Sequence, residues 1–307
     1  MIPDGRTPVV VVTGFLGSGK TTLVNQLVKR QSDSLVIVNE FGEVSVDHLL
    51  IESSTEKTVA LPNGCLCCHM RGDLEETLMG AAMRRRRGEI AGFDRVIVET
   101  SGLADPGPVA QTLYADPALG RDFKLGPIVA VVDAFDLQAR NASPDIARAQ
   151  IAAADVVVLS KADRAADTAA AEADVRTINP GVRCIPAQFG DVDPRTVLET
   201  KAGEHDFRPA QHNSAIRSFA LKFEGPVPRA LLQQFIGTLV ELRGPDLLRV
   251  KGIVPLETEG PVLVQGVRHV FDRFRAVAGG EPALVFITNG VDKVEVEKLW
   301  EAMKGLS

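Results

Sequence analysis

Short aliphatic runs punctuate the chain as far as Gly190: Val9–Val12, Leu35–Val38, Arg95–Glu99, Ile128–Val132, Val156–Leu159 and Arg183–Ala187. These runs are continuous rather than alternating. A strand of that kind is buried on both faces, the usual condition in a parallel sheet sandwiched between helices. Helix-like stretches such as Thr22–Lys29 and Asp73–Arg87 separate them. The pattern predicts a doubly wound α/β domain whose ligands bind beyond the carboxyl ends of the strands. The residues there are polar: Gly14 onward, Asn39-Glu40, Glu99, Asp133 and Ser160-Lys161.

After Phe189-Gly190-Asp191 the pattern changes. Residues 201–214 are polar and include Gly203, Pro209, His205 and His212, which reads as a linker. Beyond it come the alternating run Ser218–Phe223, a helix Arg229–Leu242, strands around Leu248–Pro255, Val262–Val267 and Ala283–Ile287, and a helix Glu295–Lys304. The expected organisation is an α/β domain over residues 1–200, a linker over 201–214 and a small α+β domain over 215–307, both of ordinary size.

The first polar strand end carries the sharpest signal. Gly14-Phe15-Leu16-Gly17-Ser18-Gly19-Lys20-Thr21-Thr22 fits Gly-x4-Gly-Lys-[Ser/Thr] between a strand and a helix. Glycines let the backbone curl around phosphates, and the helix N-terminus supplies N–H donors. Gly14, Gly17, Ser18, Gly19, Lys20, Thr21 and Thr22 are therefore candidate nucleotide contacts. Lys20 would reach the β- and γ-phosphates, and the Thr21 hydroxyl would ligate Mg²⁺. Glu99-Thr100-Ser101-Gly102 closes the third run, where phosphate-loop enzymes keep a Mg²⁺-holding acid and a glycine near the γ-phosphate. Glu99 stands where aspartate is commoner, so its longer side chain favours contact through water. Gly102 is the matching glycine.

Ser160-Lys161-Ala162-Asp163 resembles the Asn-Lys-x-Asp element that reads guanine. Asp163 can accept from guanine N1–H and the exocyclic amine; adenine offers neither. The Lys161 stem would pack along the purine. Ala187-Gln188-Phe189-Gly190 is a further candidate base-edge loop. Asn39–Asp47 occupies the place of a switch loop, in which Glu40 or Asp47 could approach Mg²⁺ or position the attacking water.

Cys65-Leu66-Cys67-Cys68 brings a second chemistry. Three thiols this close cannot form a disulfide framework, but thiolates suit Zn²⁺ or Cu(I). Cys65, Cys67 and Cys68 leave a fourth position for Glu43, His69 or water. Such an open position suits delivery better than a closed structural site. Cys184, the fourth cysteine, is expected in the core.

Composition narrows the partners. A net charge of −6 argues against nucleic-acid binding by bulk charge. The run Arg84-Arg85-Arg86-Arg87 is read as cations closing a helix before Gly88. No apolar run approaches the roughly 20 residues of a membrane span, and the N-terminus lacks signal-peptide features, so a cytoplasmic location is expected.

Together these segments resemble the CobW-type metallochaperone GTPases, related to CobW, HypB and UreG, and their YjiA-like branch. The matching residues are Gly14–Thr22, Asn39–Asp47, Asn63–Cys68, Glu99–Pro106 and Ser160–Asp163, with Leu247–Gly252 and Gln265-Gly266-Val267 downstream. The resemblance implies a P-loop GTPase of the SIMIBI class that binds GTP, Mg²⁺ and Zn²⁺ or a similar metal. It implies metal supply to a client metalloprotein, often through nucleotide- or metal-dependent association, including homo-oligomers. The chain departs from many relatives in having only His205 and His212 near the domain junction, which speaks against bulk metal storage. Two alternatives stay open: a P-loop ATPase or kinase with a structural zinc, and a non-catalytic nucleotide-dependent metal-binding module.

Overall fold

The computed structural model describes residues 5–31, 33–38, 58–60, 69–135, 144–165, 167–199 and 216–305. They fall into two compact units, one within 1–173 and 183–200, the other within 174–182 and 201–307. The expected linker 201–214 lies outside the described residues.

The first unit is built on a sheet of β1 (Thr7–Thr13), β2 (Ser34–Val38), β3 (Thr58–Ala60), β4 (Arg95–Glu99), β5 (Phe123–Asp133), β6 (Val156–Ser160) and β7 (Arg183–Pro186). The seven strands lie in the order β3-β2-β4-β1-β5-β6-β7, and every pairing is parallel. Helices α1 (Lys20–Arg30), α2 (His69–Arg86), α3 (Gly107–Ala115), α4 (Leu119–Asp122), α5 (Pro144–Ala153), α6 (Ala169–Ile178) and α7 (Pro194–Leu198) join them. On one face Val10, Val12, Val36, Val129 and Val131 pack with Leu23, Val24 and Leu27 of α1 and Val197 and Leu198 of α7. Val9, Val11, Val96 and Val98 alternate to the other face and are equally buried. That double burial is why the runs carry no polar alternation.

The expected strands all form, Arg95–Glu99 with the expected ends and the others with different ones. β5 begins at Phe123 rather than Ile128, because its sequence is broken by Gly126-Pro127. The β1–β5 register shifts there, between Val9 and Val11, and Pro127 has no N–H to donate. Helix α2 starts at His69 rather than Asp73. It closes as the arginine run and Gly88 suggested: Gly88 has φ 70°, its N–H donates to Arg85 O at 3.1 Å, and Glu89 N–H donates to Arg84 O at 2.9 Å. The four guanidinium groups have partners within the fold. Arg84 and Arg87 approach Glu89 at 4.0 and 3.6 Å, Arg86 pairs with Asp122, and Arg85 donates to Thr7 Oγ1 at 3.1 Å beside the Phe93 ring.

One core expectation needs correcting. Cys184 is only half-buried, because β7 is the edge strand of the sheet and covers its residues incompletely.

The second unit holds an antiparallel sheet in the order β11-β10-β9-β13-β8, with β12 beside β10. Its strands are β8 (Ile216–Lys222), β9 (Leu247–Leu256), β10 (Gly260–Val267), β11 (Val270–Phe271), β12 (Arg275–Ala276) and β13 (Ala283–Asn289). Helices α8 (Arg229–Arg243) and α9 (Lys293–Lys304) share a core with it, including Phe235, Leu239, Val250, Phe286 and Trp300. Asp292 caps α9 by accepting from Glu295 N–H at 2.9 Å, and that bond holds its carboxyl below the usual range.

Trp300 meets Phe223 and Phe235 edge-on, with centroids 5.3 and 5.1 Å away. Replacing it with alanine removes a large buried ring from both pairs. Trp300→Ala is expected to cost about 3–5 kcal/mol of stability, read as a lower urea midpoint. A loss under 1 kcal/mol would show that this ring is not a keystone of the second core.

Candidate functional site

The carboxyl ends of β1, β4, β5 and β6 gather the site. After β1 the chain turns at Phe15, whose carbonyl accepts from Ser18 N–H at 3.2 Å, and enters α1 through Gly19. Gly17 and Gly19 have φ of 71° and 93°, conformations that side chains with a Cβ rarely adopt. Gly19 offers α1 no side-chain cap, so the first N–H groups of that helix face the loop with only backbone around them. Lys20 folds over the loop and donates to Gly14 O at 3.0 Å and Phe15 O at 3.2 Å. Ser18 Oγ is buried with no hydrogen-bond partner among the described residues. Thr22 is exposed at the start of α1.

Glu99 ends β4, next to β1 in the sheet, and is 3% exposed. Thr21 Oγ1 donates to Glu99 Oε1 at 2.7 Å. A buried carboxylate is costly unless it is paired or meets a cation. A hydroxyl and a carboxylate converging beside a loop of backbone donors form an oxygen donor set that fits Mg²⁺ bound to a nucleotide.

Two close approaches lock the loops. A Cβ on Gly14 would come within 2.3 Å of Val131 O, so only glycine passes β5 there. A Cβ on Gly102 would lie 2.6 to 2.9 Å from Leu16 Cδ2, N and Cα. Gly102 therefore lets the segment after β4 press on the phosphate loop. Thr100 secures the same junction, its N–H donating to Val12 O at 2.9 Å and its hydroxyl lying 3.0 Å from Thr13 Oγ1.

Ser160, at the end of β6, stands where the Asn-Lys-x-Asp element has asparagine. Its hydroxyl donates to Ser18 O at 2.6 Å. Lys161 has φ 54°, and its ammonium pairs with Asp133 at 2.6 Å. Asp133 is 7% exposed and also accepts from Phe135 N–H at 2.9 Å. The pairing leaves the Lys161 stem to offer an apolar edge. Asp163 is exposed two residues on. The following loop docks on α1: Gly190 lies against Thr22 and Leu23, and Arg30 holds Val192 O at 3.0 Å and Asp191 at 2.5 Å.

The described residues thus bring together Gly14, Gly17, Ser18, Gly19, Lys20, Thr21, Thr22, Glu99, Gly102, Lys161 and Asp163 at the strand ends. Glu40, Glu43, Asp47, Cys65, Cys67 and Cys68 lie outside the described residues. Among the described residues no cluster of three or more His, Cys, Asp or Glu side chains could hold a metal. Sequence reading noticed Asp133 only as a polar strand end and missed its pairing with Lys161. It also missed Gln150, a buried glutamine in α5 that donates to Gly102 O at 3.3 Å and Ala104 O at 3.0 Å. Its one sequence trace is a polar residue inside an apolar helix face.

This geometry agrees with two family models. The model of the CobW/HypB/UreG nucleotide-binding domain matches residues 8–186, and that of the cobalamin synthesis protein cobW C-terminal domain matches residues 216–304. The chain belongs to the CobW/HypB/UreG family. It is 31% identical to the zinc chaperone YjiA of Escherichia coli strain K12 over 97% of this chain and 98% of that protein. It is 34% identical to zinc-regulated GTPase metalloprotein activator 1 of Schizosaccharomyces pombe, over 61% of this chain and 47% of that protein. The crystal structure of Zn(II)-bound YjiA GTPase from E. coli shares its fold, with a TM-score of 0.74 at 24% identity over 97% of this chain and 99% of that one.

The contact at Gly102 makes a stability prediction with an internal control. Gly102→Ala is expected to cost about 1–3 kcal/mol by overpacking against Leu16. Gly80→Ala, in α2 with open space around it, is expected to gain about 0.5–1 kcal/mol. Urea unfolding measures both; equal effects of the two substitutions would contradict the close approach.

Proposed function

We propose that this chain is a Mg²⁺-dependent GTPase that carries zinc, or a similar transition metal, to a client metalloprotein. The observation that carries the reading is the Thr21–Glu99 hydrogen bond at the mouth of the phosphate loop. Family membership and the names of the relatives support the GTPase and zinc assignments.

In this reading Gly14, Gly17, Ser18, Gly19, Lys20, Thr21 and Thr22 surround the phosphates. Lys20 moves its ammonium from the loop carbonyls to the β- and γ-phosphate oxygens, and Thr21 and Glu99 hold the metal. When bound there, Mg²⁺ would neutralise charge on the phosphates. Gly102 keeps the segment after β4 at the γ-phosphate. Asp163 accepts from guanine N1–H and N2–H₂ while the Lys161 stem, steadied by Asp133, lies along the base. Glu40 orients the attacking water. Cys65, Cys67 and Cys68, with Glu43, His69 or water as fourth donor, take the zinc as cargo.

Hydrolysis then alters the segment between Asn39 and the cysteines, and with it the hold on zinc. The client is a metalloprotein that the GTP-loaded form engages, and self-association follows the nucleotide or the metal. Among the described residues no helix is long and apolar enough to cross a membrane, and we place the reaction in the cytoplasm.

Phosphate release separates this reading from its rivals. The protein is expected to hydrolyse GTP with Mg²⁺, to prefer GTP to ATP by about 100-fold or more in competition, and to lose turnover on Lys20→Ala. Equal use of ATP would favour a kinase or ATPase. Release no greater than that of Lys20→Ala would favour a non-catalytic module. Equilibrium dialysis tests the cargo site: replacing Cys65, Cys67 and Cys68 with serine is expected to abolish tight zinc binding, and retention would remove them from the site.

A further inference from the structure

Gln150 is 1% exposed and belongs to α5 of the first unit. Burying an amide is costly unless it is hydrogen-bonded. Here the Nε2 group donates to two main-chain carbonyls of one turn, Gly102 O and Ala104 O, while Oε1 has no partner among the described residues. An unpaired buried acceptor is costly, so leucine or methionine would serve a purely packing role better. What the glutamine supplies is the pair of donors.

The turn it grips is Ser101–Ala104, closed by Ala104 N–H donating to Ser101 O at 3.1 Å. Its other side abuts the phosphate loop, where Gly102 leaves no room for a Cβ beside Leu16 N and Cα. The turn is therefore clamped between Gln150 and the loop that surrounds the nucleotide. Peptide planarity carries the clamp further. The Leu103 N–H is trans to the Gly102 carbonyl that Gln150 holds, so it points away from Gln150. It has no hydrogen-bond partner among the described residues, and Leu103 itself is 42% exposed.

We propose that Gln150 is a positioning residue for GTP hydrolysis: by holding the Gly102 and Ala104 carbonyls it turns the Leu103 N–H toward the terminal phosphate. The inference rests on the GTPase reading and deepens it. It also connects the two halves of the site. α5 leads directly into β6, and the junction is fixed by Asp155, whose N–H donates to Ile128 O at 2.8 Å and whose carboxylate accepts from Ile128 N–H at 3.0 Å. The strand that ends in Ser160, three residues before Asp163, thus begins just after the helix that carries the clamp. GDP, which lacks the terminal phosphate, does not feel Gln150; GTP does.

Gln150→Met keeps the volume and removes the donors. It is expected to lower kcat by about ten- to a hundred-fold, the scale of a misplaced catalytic segment. Affinity for a β,γ-imido GTP analogue is expected to fall several-fold while GDP affinity stays within about two-fold; the melting temperature is expected to fall by a few degrees, because the buried Gly102 carbonyl loses its donor. Parallel losses for analogue and GDP, or a wild-type kcat, would overturn the proposal. Should the variant not fold, the wild-type protein still decides. Hydrogen exchange at the Leu103 amide is expected to slow with the analogue and not with GDP; equal protection by both would defeat the idea. If wild-type protein turns over GTP and Gln150→Met matches it, this inference fails alone; if wild type has no Lys20-dependent turnover, the GTPase reading fails with it.

Discussion

Thr21 and Glu99 are 78 residues apart in the chain and 2.7 Å apart in space. The rest of the site depends on that meeting. β1 and β4 are adjacent and parallel, with Val12 opposite Glu99, so both chains leave the sheet at the same end. The phosphate loop must then turn back over its own strand, which Gly14 permits by passing Val131 O where no Cβ fits. The segment after Glu99 must pass under Leu16, which Gly102 permits. Two glycines and one buried carboxylate thus gather the phosphate loop, Thr21 and the segment after β4 at the carboxyl end of the sheet.

The first unit was legible in the sequence because its strands are buried on both faces and read as unbroken aliphatic runs. Their ends were less legible. β3, at Thr58–Ala60, is too short to show a pattern, and β5 hid its first half behind Gly126-Pro127. In the second unit the alternating strands and two helices announced themselves, while the two-residue β11 and β12 did not. The motif residues at the strand ends could be read because their spacing carries chemistry. Asp133 and Gln150 could not, since each acts on a neighbour that is distant in sequence and close only after folding. Cys184 was misjudged because a strand sequence does not say whether the strand lies at a sheet edge.

In the proposed function, the charged groups at the strand ends serve recognition and hydrolysis together. Glu99 and Lys20 are buried near the phosphate loop, whereas Asp163 is exposed where a base can reach it. Ser160 links the two regions by donating to Ser18 O, so β6 also steadies the loop. Between the phosphate loop and Glu99 in the chain lie the acidic segment Asn39–Asp47 and the cysteines Cys65, Cys67 and Cys68. In the proposed function, a change at the γ-phosphate would reach those thiols along the chain between Asn39 and Cys68.

Thermodynamic linkage makes that coupling reciprocal: if nucleotide state changes zinc affinity, zinc must change nucleotide affinity by the same factor. The most direct test is titration of Zn²⁺ into protein loaded with a non-hydrolysable GTP analogue and into protein loaded with GDP. The account predicts dissociation constants that differ by about ten-fold or more, with the same ratio recovered when nucleotide is titrated with and without zinc. Equal zinc affinities in the two states would contradict it.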